Sequence, residues 1–195
     1  MTSGRRRLIV WGALCAVGPW IPWNPALASA DPWRVLQGGG CAVLLRHGRT
    51  VPGIGDPPGF RLDDCSTQRN LSDEGRAESR RFGEEFARRG IRVDEVLASR
   101  WCRCVDTARL AFPRHEVRVF EPLNSFFADG STRDAQTARL REHLAGQAGD
   151  KCIVMVTHQV NIAALAGESV AMGEALLVRL GADRPGEMLA RLRVA

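Results

Sequence analysis

Two histidines of this chain follow apolar runs in the same way, each after one intervening residue. His47 follows the run 41–45 and one arginine, Arg46, and His158 follows the run 152–156 and one threonine. Short apolar runs of this length are typical of buried strands, and parallel α/β sheets bind ligands beyond the carboxyl ends of their strands. If the two strands are neighbours, both rings emerge at one edge of the sheet. A histidine there can act as a nucleophile, and Arg46 can hold the anion that is attacked.

A third candidate strand ends in further cationic residues. The stretch 93–98 is followed by Arg100 and Arg103, and Arg103 lies at the start of the next candidate helix. Two arginines and two histidines around one point predict a site for a dianion such as phosphate. Arg100 has two interpretations, because it either lines the mouth of the pocket or is a solvated arginine at a strand end.

Alternating strands and helices must position these residues. The predicted strands are 41–45, 93–98, 117–120, 152–156, 175–180 and 188–194, and the predicted helices lie at 73–89, 102–112, 134–144 and 160–166. Ser72 is a favourable N-cap for the first of these helices. The alternation predicts a three-layer α/β/α sandwich whose sheet is mostly parallel, with an antiparallel edge.

The first 30 residues have the pattern of an export signal. Three arginines at 5–7 precede an apolar run at 8–21, and Ala-Ser-Ala at 28–30 is a small-residue cleavage site. Three prolines in and after the apolar run would break the alternative, an uncleaved anchor helix. We therefore expect a signal peptide at 1–30, one domain at 31–195, no stable membrane anchor after cleavage, and a periplasmic or secreted location.

Charge does not indicate a nucleic-acid partner. The whole chain has a formal net charge of +5, and the three arginines at 5–7, which have no acidic neighbours within residues 1–30, account for three of these charges. The remaining +2 is too small to predict a nucleic-acid surface. Lys151 is the only lysine among 27 basic residues, which indicates a GC-rich genome and, with the export signal, a bacterial protein.

Four motifs follow one another along the chain: Leu45-Arg46-His47-Gly48, Leu71-Ser72-x-x-Gly75, Ser99-x-x-x-Arg103-x-x-x-Thr107-Ala108 and Val156-Thr157-His158. In this order they resemble the histidine phosphatase superfamily (branch 1, phosphoglycerate mutase-like). A single Arg-His-Gly would be weak evidence, whereas four motifs in family order are strong. The resemblance implies a phosphoglycerate mutase-like fold and a small exported bacterial member of the family.

The same resemblance implies a mechanism. His47 would attack phosphorus and become a phosphohistidine, which water would then hydrolyse. Arg46, Arg103 and His158 would bind the phosphoryl oxygens and stabilise charge in the transition state. No cofactor and no metal are implied, and the sequence has no metal-ligand spacing. We therefore expect a metal-independent phosphatase that acts on a phosphorylated small molecule or an envelope sugar phosphate.

Two positions depart from the family pattern. Mutase-like members carry a carboxylic acid in a Leu-Asn-Glu sequence after the third strand, where it protonates the leaving oxygen. The matching stretch here, residues 123–125, has serine in place of the acid. Glu121 and Asp129 are nearby candidates for the acid, and each can also be an ordinary loop carboxylate. Gln159 stands where glycine is common, so its side chain could narrow the pocket or hydrogen-bond a substrate.

The loop 51–69 is long enough to form a lid over the phosphate, or it is a solvated surface loop. Its Cys65 could pair with Cys102, since export permits disulfides, and the alternative is two unpaired thiols. Arg69 and Asn70, next to the start of the first long helix, could reach the pocket, but their spacing alone does not decide this.

Three functions remain open at this point. The leading one is an exported phosphatase that works through His47. The second is a phosphoglycerate mutase, which the export signal and the short chain disfavour. The third is a non-catalytic or impaired phosphate- or anion-binding envelope protein that has kept the pocket and lost the acid, which the serine at Ser125 favours.

Overall fold

The structure, a computed structural model, describes residues 31–147 and 149–194. The predicted signal peptide therefore lies outside the described residues. Helices α1 to α5 span Pro32–Gly38, Asp73–Arg88, Cys102–Ala111, Arg133–Ala145 and Gln159–Ala166. Strands β1 to β6 span Cys41–Arg46, Glu95–Ala98, Val117–Val119, Cys152–Thr157, Ala175–Arg179 and Met188–Leu192. None of the described helices has both the length and the apolarity that a membrane span requires.

The six strands form one sheet in the order β3-β2-β4-β1-β5-β6. The first four of these run parallel, β5 is antiparallel to β1, and β6 is antiparallel to β5. This confirms the predicted mixed sheet with an antiparallel edge. β1 and β4 are neighbours in register, with Arg46 opposite Thr157, so His47 and His158 follow adjacent strand ends.

Apolar side chains cover both faces of the sheet and make the three layers. On one face Val43 of β1 lies in a cluster with Phe82 of α2, and on the other Leu44 lies in a cluster with Ile162 of α5. Successive strand residues point to opposite faces, and a strand covered on both sides reads as a continuous apolar run. Burying each such side chain stabilises the fold by about 1.5–3 kcal/mol, which keeps the strand ends rigid beneath the site.

The sequence pattern did not predict α1. The predicted ends of the strands differ from the observed ends by one or two residues. α1 begins with Pro32 in its first turn, and Asp31 Oδ1 accepts the Trp33 N–H at 3.0 Å, a typical helix start. Only Leu36 of this seven-residue helix is buried, so it has too little apolar periodicity to be recognised.

Two glycines allow the loop after β1 to lie against the start of α2. A Cβ on Gly75 would stand 1.9 Å from the carbonyl oxygen of Arg49, and a Cβ on Gly48 would stand 2.8 Å from that of Gly75. Ser72 Oγ caps α2 by accepting the Gly75 N–H at 3.1 Å, and the Ser72 N–H donates to the Arg49 carbonyl at 3.0 Å. The second sequence motif thus fixes the loop that directly follows β1.

Candidate active site

A cavity of about 570 Å³ opens beyond the carboxyl ends of β1, β2 and β4. Five basic side chains of its lining form what we term the cationic floor: Arg46, His47, Arg69, Arg103 and His158. His47, His158 and Arg103 are each at most 4% exposed. The structure thus brings together all four residues that the sequence analysis expected to be catalytic.

His47 is held as a neutral ring with one free nitrogen. Its Nδ1 lies 2.9 Å from the Gly48 carbonyl oxygen. Because a carbonyl only accepts, Nδ1 carries the hydrogen and Nε2 of the neutral ring keeps its lone pair. Burial above all, and then the three guanidinium groups of the floor, lower the pKa of His47 to about 3, against the opposing effect of the Gly48 hydrogen bond. Near pH 7, Nε2 can therefore act as a nucleophile.

His158 lies beside His47, with 5.4 Å between the ring centroids. Its Nε2 is 2.9 Å from Ser99 Oγ and 3.4 Å from Cys104 Sγ. Burial first, and then the neighbouring His47 and the arginines, hold the pKa of His158 well below its usual value. Hydrogen bonding to Ser99 orients the ring, so the first residue of the third motif acts on the site through His158.

The rest of the third motif links α3 to the loop after β1. Thr107 Oγ1 accepts the Gly48 N–H at 3.0 Å and donates to the Arg103 carbonyl oxygen at 2.7 Å. Residues four apart lie on the same face of a helix, so Arg103 and Thr107 both face the site. Ala108 is fully buried in the adjoining core. The spacing of this motif therefore places one guanidinium and one backbone anchor beside His47.

The three arginines of the floor keep polar hydrogens without partners. The Nε atoms of Arg46, Arg69 and Arg103 are buried and have no hydrogen-bond partner among the described residues. Burial and repulsion between the guanidinium groups lower the pKa of Arg46 and of Arg69. Guanidinium groups gathered at one cavity repel one another, and an oxyanion with several oxygens is the group that can neutralise and hydrogen-bond three of them together. This arrangement is suited to a phosphoryl group.

Asp56 is the only carboxylate among the described residues that line the cavity. It accepts hydrogen bonds from Arg103 Nη1 and Nη2, at 2.7 and 3.2 Å, from Trp101 Nε1 at 3.0 Å and from the Arg69 N–H at 3.0 Å. Burial by itself raises the pKa of Asp56, but these hydrogen bonds outweigh burial and lower it. Asp56 is therefore ionised and positions Arg103. The sequence analysis gave it no role.

Two residues expected to bind substrate lie outside the cavity lining. Asn70 Nδ2 donates to the Cys65 carbonyl oxygen at 2.6 Å. Arg100 is exposed, and its backbone N–H donates to Asn124 Oδ1 at 2.8 Å. Arg69, which precedes Asn70, reaches the floor instead.

Gln159 lines the cavity, but its amide is already engaged. Its Nε2 donates to Ser169 Oγ at 2.9 Å, and its Oε1 accepts the Val170 N–H at 3.0 Å. The side chain therefore narrows the cavity, and only one Nε2 hydrogen of the amide is left for a ligand.

Neither acid candidate reaches the cavity. Glu121 is exposed in a 3₁₀ turn, and Asp129 Oδ1 accepts the Ser131 N–H at 2.9 Å in the next such turn. Ser125, in the position where the family carries the acid, does line the cavity. Because Asp56 is held ionised, the described residues supply no carboxylic acid that could protonate a leaving group.

The loop that follows β1 forms one wall of the cavity and is joined to α3. Residues 53–56 and Phe60 line the wall. Cys65 and Cys102 form a disulfide that closes a loop of 37 residues, with their Cα atoms 5.7 Å apart. The free cysteines among the described residues, Cys41, Cys104 and Cys152, are all buried. No cluster of three or more His, Cys, Asp or Glu side chains in the described part of the chain has the arrangement of a metal site.

The sequence matches one family model. The model of the histidine phosphatase superfamily (branch 1) matches residues 42–124. This segment contains all three arginines of the floor and His47, and it ends before His158. No curated protein matches the sequence.

Several solved structures share the fold at low sequence identity. SixA from Agrobacterium tumefaciens is 20% identical, with a TM-score of 0.52 over 80% of this chain and 99% of that chain. A mycobacterial glucosyl-3-phosphoglycerate phosphatase in complex with VO3 is 21% identical, with a TM-score of 0.53 over 72% and 92% of the two chains. Phosphoserine phosphatase from Entamoeba histolytica is 15% identical, with a TM-score of 0.53 over 71% and 89%. At these identities the likeness shows the fold.

Proposed function

Because the family model and the shared fold support branch 1 of the histidine phosphatase superfamily, we propose that this chain is a phosphatase that hydrolyses a phosphomonoester through a phosphohistidine on His47. The substrate is a phosphorylated small molecule. An envelope sugar phosphate is one candidate.

One observation carries this proposal: the neutral ring of His47 lies in one cavity with the guanidinium groups of Arg46, Arg69 and Arg103. In the first step His47 Nε2 forms a bond to phosphorus, and the P–O bond to the alcohol breaks with its electron pair on oxygen. The arginines and His158 hold the phosphoryl oxygens as their charge increases. The Nδ1–H bond to Gly48 supports the positive charge that the phosphorylated ring acquires.

In the second step water attacks phosphorus, the P–N bond breaks, and inorganic phosphate leaves while His47 returns to its neutral form. The alcohol oxygen released in the first step takes its proton from solvent, because the described cavity offers no suitable acid. Esters of acidic alcohols, such as aryl phosphates, therefore react faster than esters of simple alkanols.

The test is hydrolysis of p-nitrophenyl phosphate by residues 31–195, in the presence of a metal chelator. We expect turnover that falls at least 1000-fold in His47→Ala and is unchanged in His115→Asn, whose ring is exposed on the surface. Arg103→Ala and its control Arg109→Ala are a second pair of variants for the same assay. Both residues lie on α3, and only Arg103 lines the cavity.

A second candidate function is phosphate or anion binding without catalysis, and the serine at Ser125 favours it. In that case p-nitrophenyl phosphate is not hydrolysed at any pH from 4 to 8. Inorganic phosphate still binds, and the affinity is lost in Arg103→Ala and kept in Arg109→Ala. A mutase would instead need a phosphoryl acceptor other than water, and phosphoglycerate exchange measured beside hydrolysis separates the two.

We also propose that the protein is exported, with cleavage after Ala30. The signal-like composition of 1–30 supports this, and so does the Cys65–Cys102 disulfide, since such bonds persist in oxidising compartments. Expression in a bacterium followed by fractionation should yield a periplasmic or secreted protein that begins at Asp31 by mass spectrometry. A cytoplasmic protein that retains residues 1–30 would contradict it.

A further inference from the structure

The cavity changes character between its floor and its mouth. Ile54 and Phe127, which are exposed at the opening, form what we term the apolar mouth, and the rings of Phe60 and Trp101 line the cavity as well. Phe60 and Trp101 lie side by side on one wall, with ring centroids 6.0 Å apart. A Cβ on Gly55 would lie 3.8 Å from Cε1 of Phe127, so the loop that carries Ile54 meets Phe127 at the opening.

The exposure of the mouth is unusual for this molecule. Ile54 is 91% exposed and Phe127 is 62% exposed, and only Val51 and Val119 join them as exposed large hydrophobic residues in the described part of the chain. Val51 belongs to the same loop as Ile54. Exposed apolar side chains gathered at one place mark binding surfaces, whereas single scattered ones need no explanation.

The mouth offers few partners to a hydroxylated group. Apart from the floor and Asp56, the polar side chains of the lining are those of Ser125 and Gln159. The Gln159 amide is bonded to Ser169 and Val170, and Ser125 Oγ accepts the Phe127 N–H at 3.3 Å. A sugar placed here would find only the Ser125 hydroxyl and one Gln159 N–H as side-chain partners, so its hydroxyl groups would gain little over the hydrogen bonds that they already make to water.

We propose that the alcohol part of the substrate is an aryl or alkyl group, held in the apolar mouth while its phosphate lies on the cationic floor. This rests on the proposed phosphatase function and specifies its substrate class. The opposite characters of the two regions favour an amphipathic phosphomonoester over a polyhydroxylated sugar phosphate. Ile54 and Phe127 then determine specificity, and they do not take part in the reaction.

Alkylphosphonates test how the mouth binds an alkyl group without any reaction. Their P–C bond is not hydrolysed, so the reactivity of a leaving group does not affect the result. We expect the inhibition constant against p-nitrophenyl phosphate hydrolysis to fall about threefold per methylene from methyl- to butylphosphonate. A hydroxylated phosphonate of equal length should gain nothing over methylphosphonate. The double variant Ile54→Ser/Phe127→Ser should bind methylphosphonate as the unchanged protein does and lose most of the dependence on chain length.

Val119→Ser is the matched control, since Val119 is an exposed valine on β3 outside the cavity, and it should keep the full dependence. Inhibition that does not change with chain length in the unchanged protein, which still hydrolyses p-nitrophenyl phosphate, would overturn this inference and leave the phosphatase intact. A protein that neither hydrolyses p-nitrophenyl phosphate nor binds methylphosphonate would contradict the phosphatase function itself. The series in the unchanged protein decides the question even if the double variant fails to fold.

Discussion

Asp56 and Arg103 form a bidentate ion pair inside the cavity, with Oδ1 2.7 Å from Nη1 and Oδ2 3.2 Å from Nη2. Their side chains are only 7% and 5% exposed. Two such charges tolerate burial when the geometry is good and the remaining lone pairs are satisfied, and Trp101 and the Arg69 N–H supply those further bonds. The pair fixes Arg103 beside His47 and joins the cavity loop to α3.

Asp56→Asn should lower the free energy of unfolding by about 3 kcal/mol, because it leaves Arg103 buried without its counter-charge. Urea denaturation at pH 7 measures this. Asp63→Asn is the control: Asp63 lies in the same loop and its ion pair with Arg61 is exposed, so the change there should be within about 0.5 kcal/mol. Equal losses in the two variants would show that the Asp56–Arg103 pair does not contribute as the geometry indicates.

The stability of the protein should fall as the pH decreases from 7 to 4. An unfolded histidine takes up a proton near pH 6.5, whereas folded His47 stays neutral until about pH 3, so between these values protons favour the unfolded chain. His47 should account for about 1 kcal/mol per pH unit over this range. Urea denaturation should show a shallower pH dependence in His47→Asn than in the unchanged protein. An unaltered slope in His47→Asn would contradict the lowered pKa.

Gly75→Ala should destabilise the protein by at least about 2 kcal/mol. The new Cβ would stand 1.9 Å from the Arg49 carbonyl oxygen, which belongs to backbone and cannot rotate away. Gly130→Ala is the control, since nothing lies within 4 Å of a Cβ there. Thermal unfolding of both variants provides the measurement, and a Gly75→Ala protein as stable as Gly130→Ala would mean that α2 can move away from the loop at little cost.

Reduction of the Cys65–Cys102 disulfide should lower the free energy of unfolding by about 2–4 kcal/mol, as expected for a closed loop of 37 residues. It should also raise KM for p-nitrophenyl phosphate, because the wall that carries Asp56 loses an anchor. Unfolding and kinetics with and without a thiol reductant measure both effects. The double variant Cys65→Ser/Cys102→Ser should match the reduced protein and should not respond to the reductant, and a response there would locate the effect elsewhere.

The sequence predicted the elements with strong apolar patterns and the residues at their ends. Cys41 lies opposite Cys152 in the register of β1 and β4, and each is followed six positions later by a histidine. The two apolar runs were therefore sufficient to predict that His47 and His158 lie together. Arg46 and Arg103 followed from the same strand-end argument, since Arg46 is the last residue of β1 and Arg103 lies in the first turn of α3.

Residues in irregular loops could not be placed in this way. Asp56 reaches Arg103 across 47 positions of chain, and no local pattern distinguishes it from Asp63 or Asp64. Glu121 and Asp129 are candidate acids in the sequence because they lie near Ser125, but neither of them lines the cavity. The apolar mouth was also not predicted, because exposed residues in loops have no periodicity.

We expect His47 to carry the phosphoryl group, and the most direct test is to trap that phosphohistidine. The protein is mixed with p-nitrophenyl phosphate, quenched with alkali within milliseconds, digested, and analysed by mass spectrometry under conditions that preserve phosphohistidine. We predict a phosphate on the peptide that contains His47, absent in His47→Ala and present in His115→Asn. Turnover with no phosphorylated peptide, or with the phosphate on His158 instead, would contradict the account.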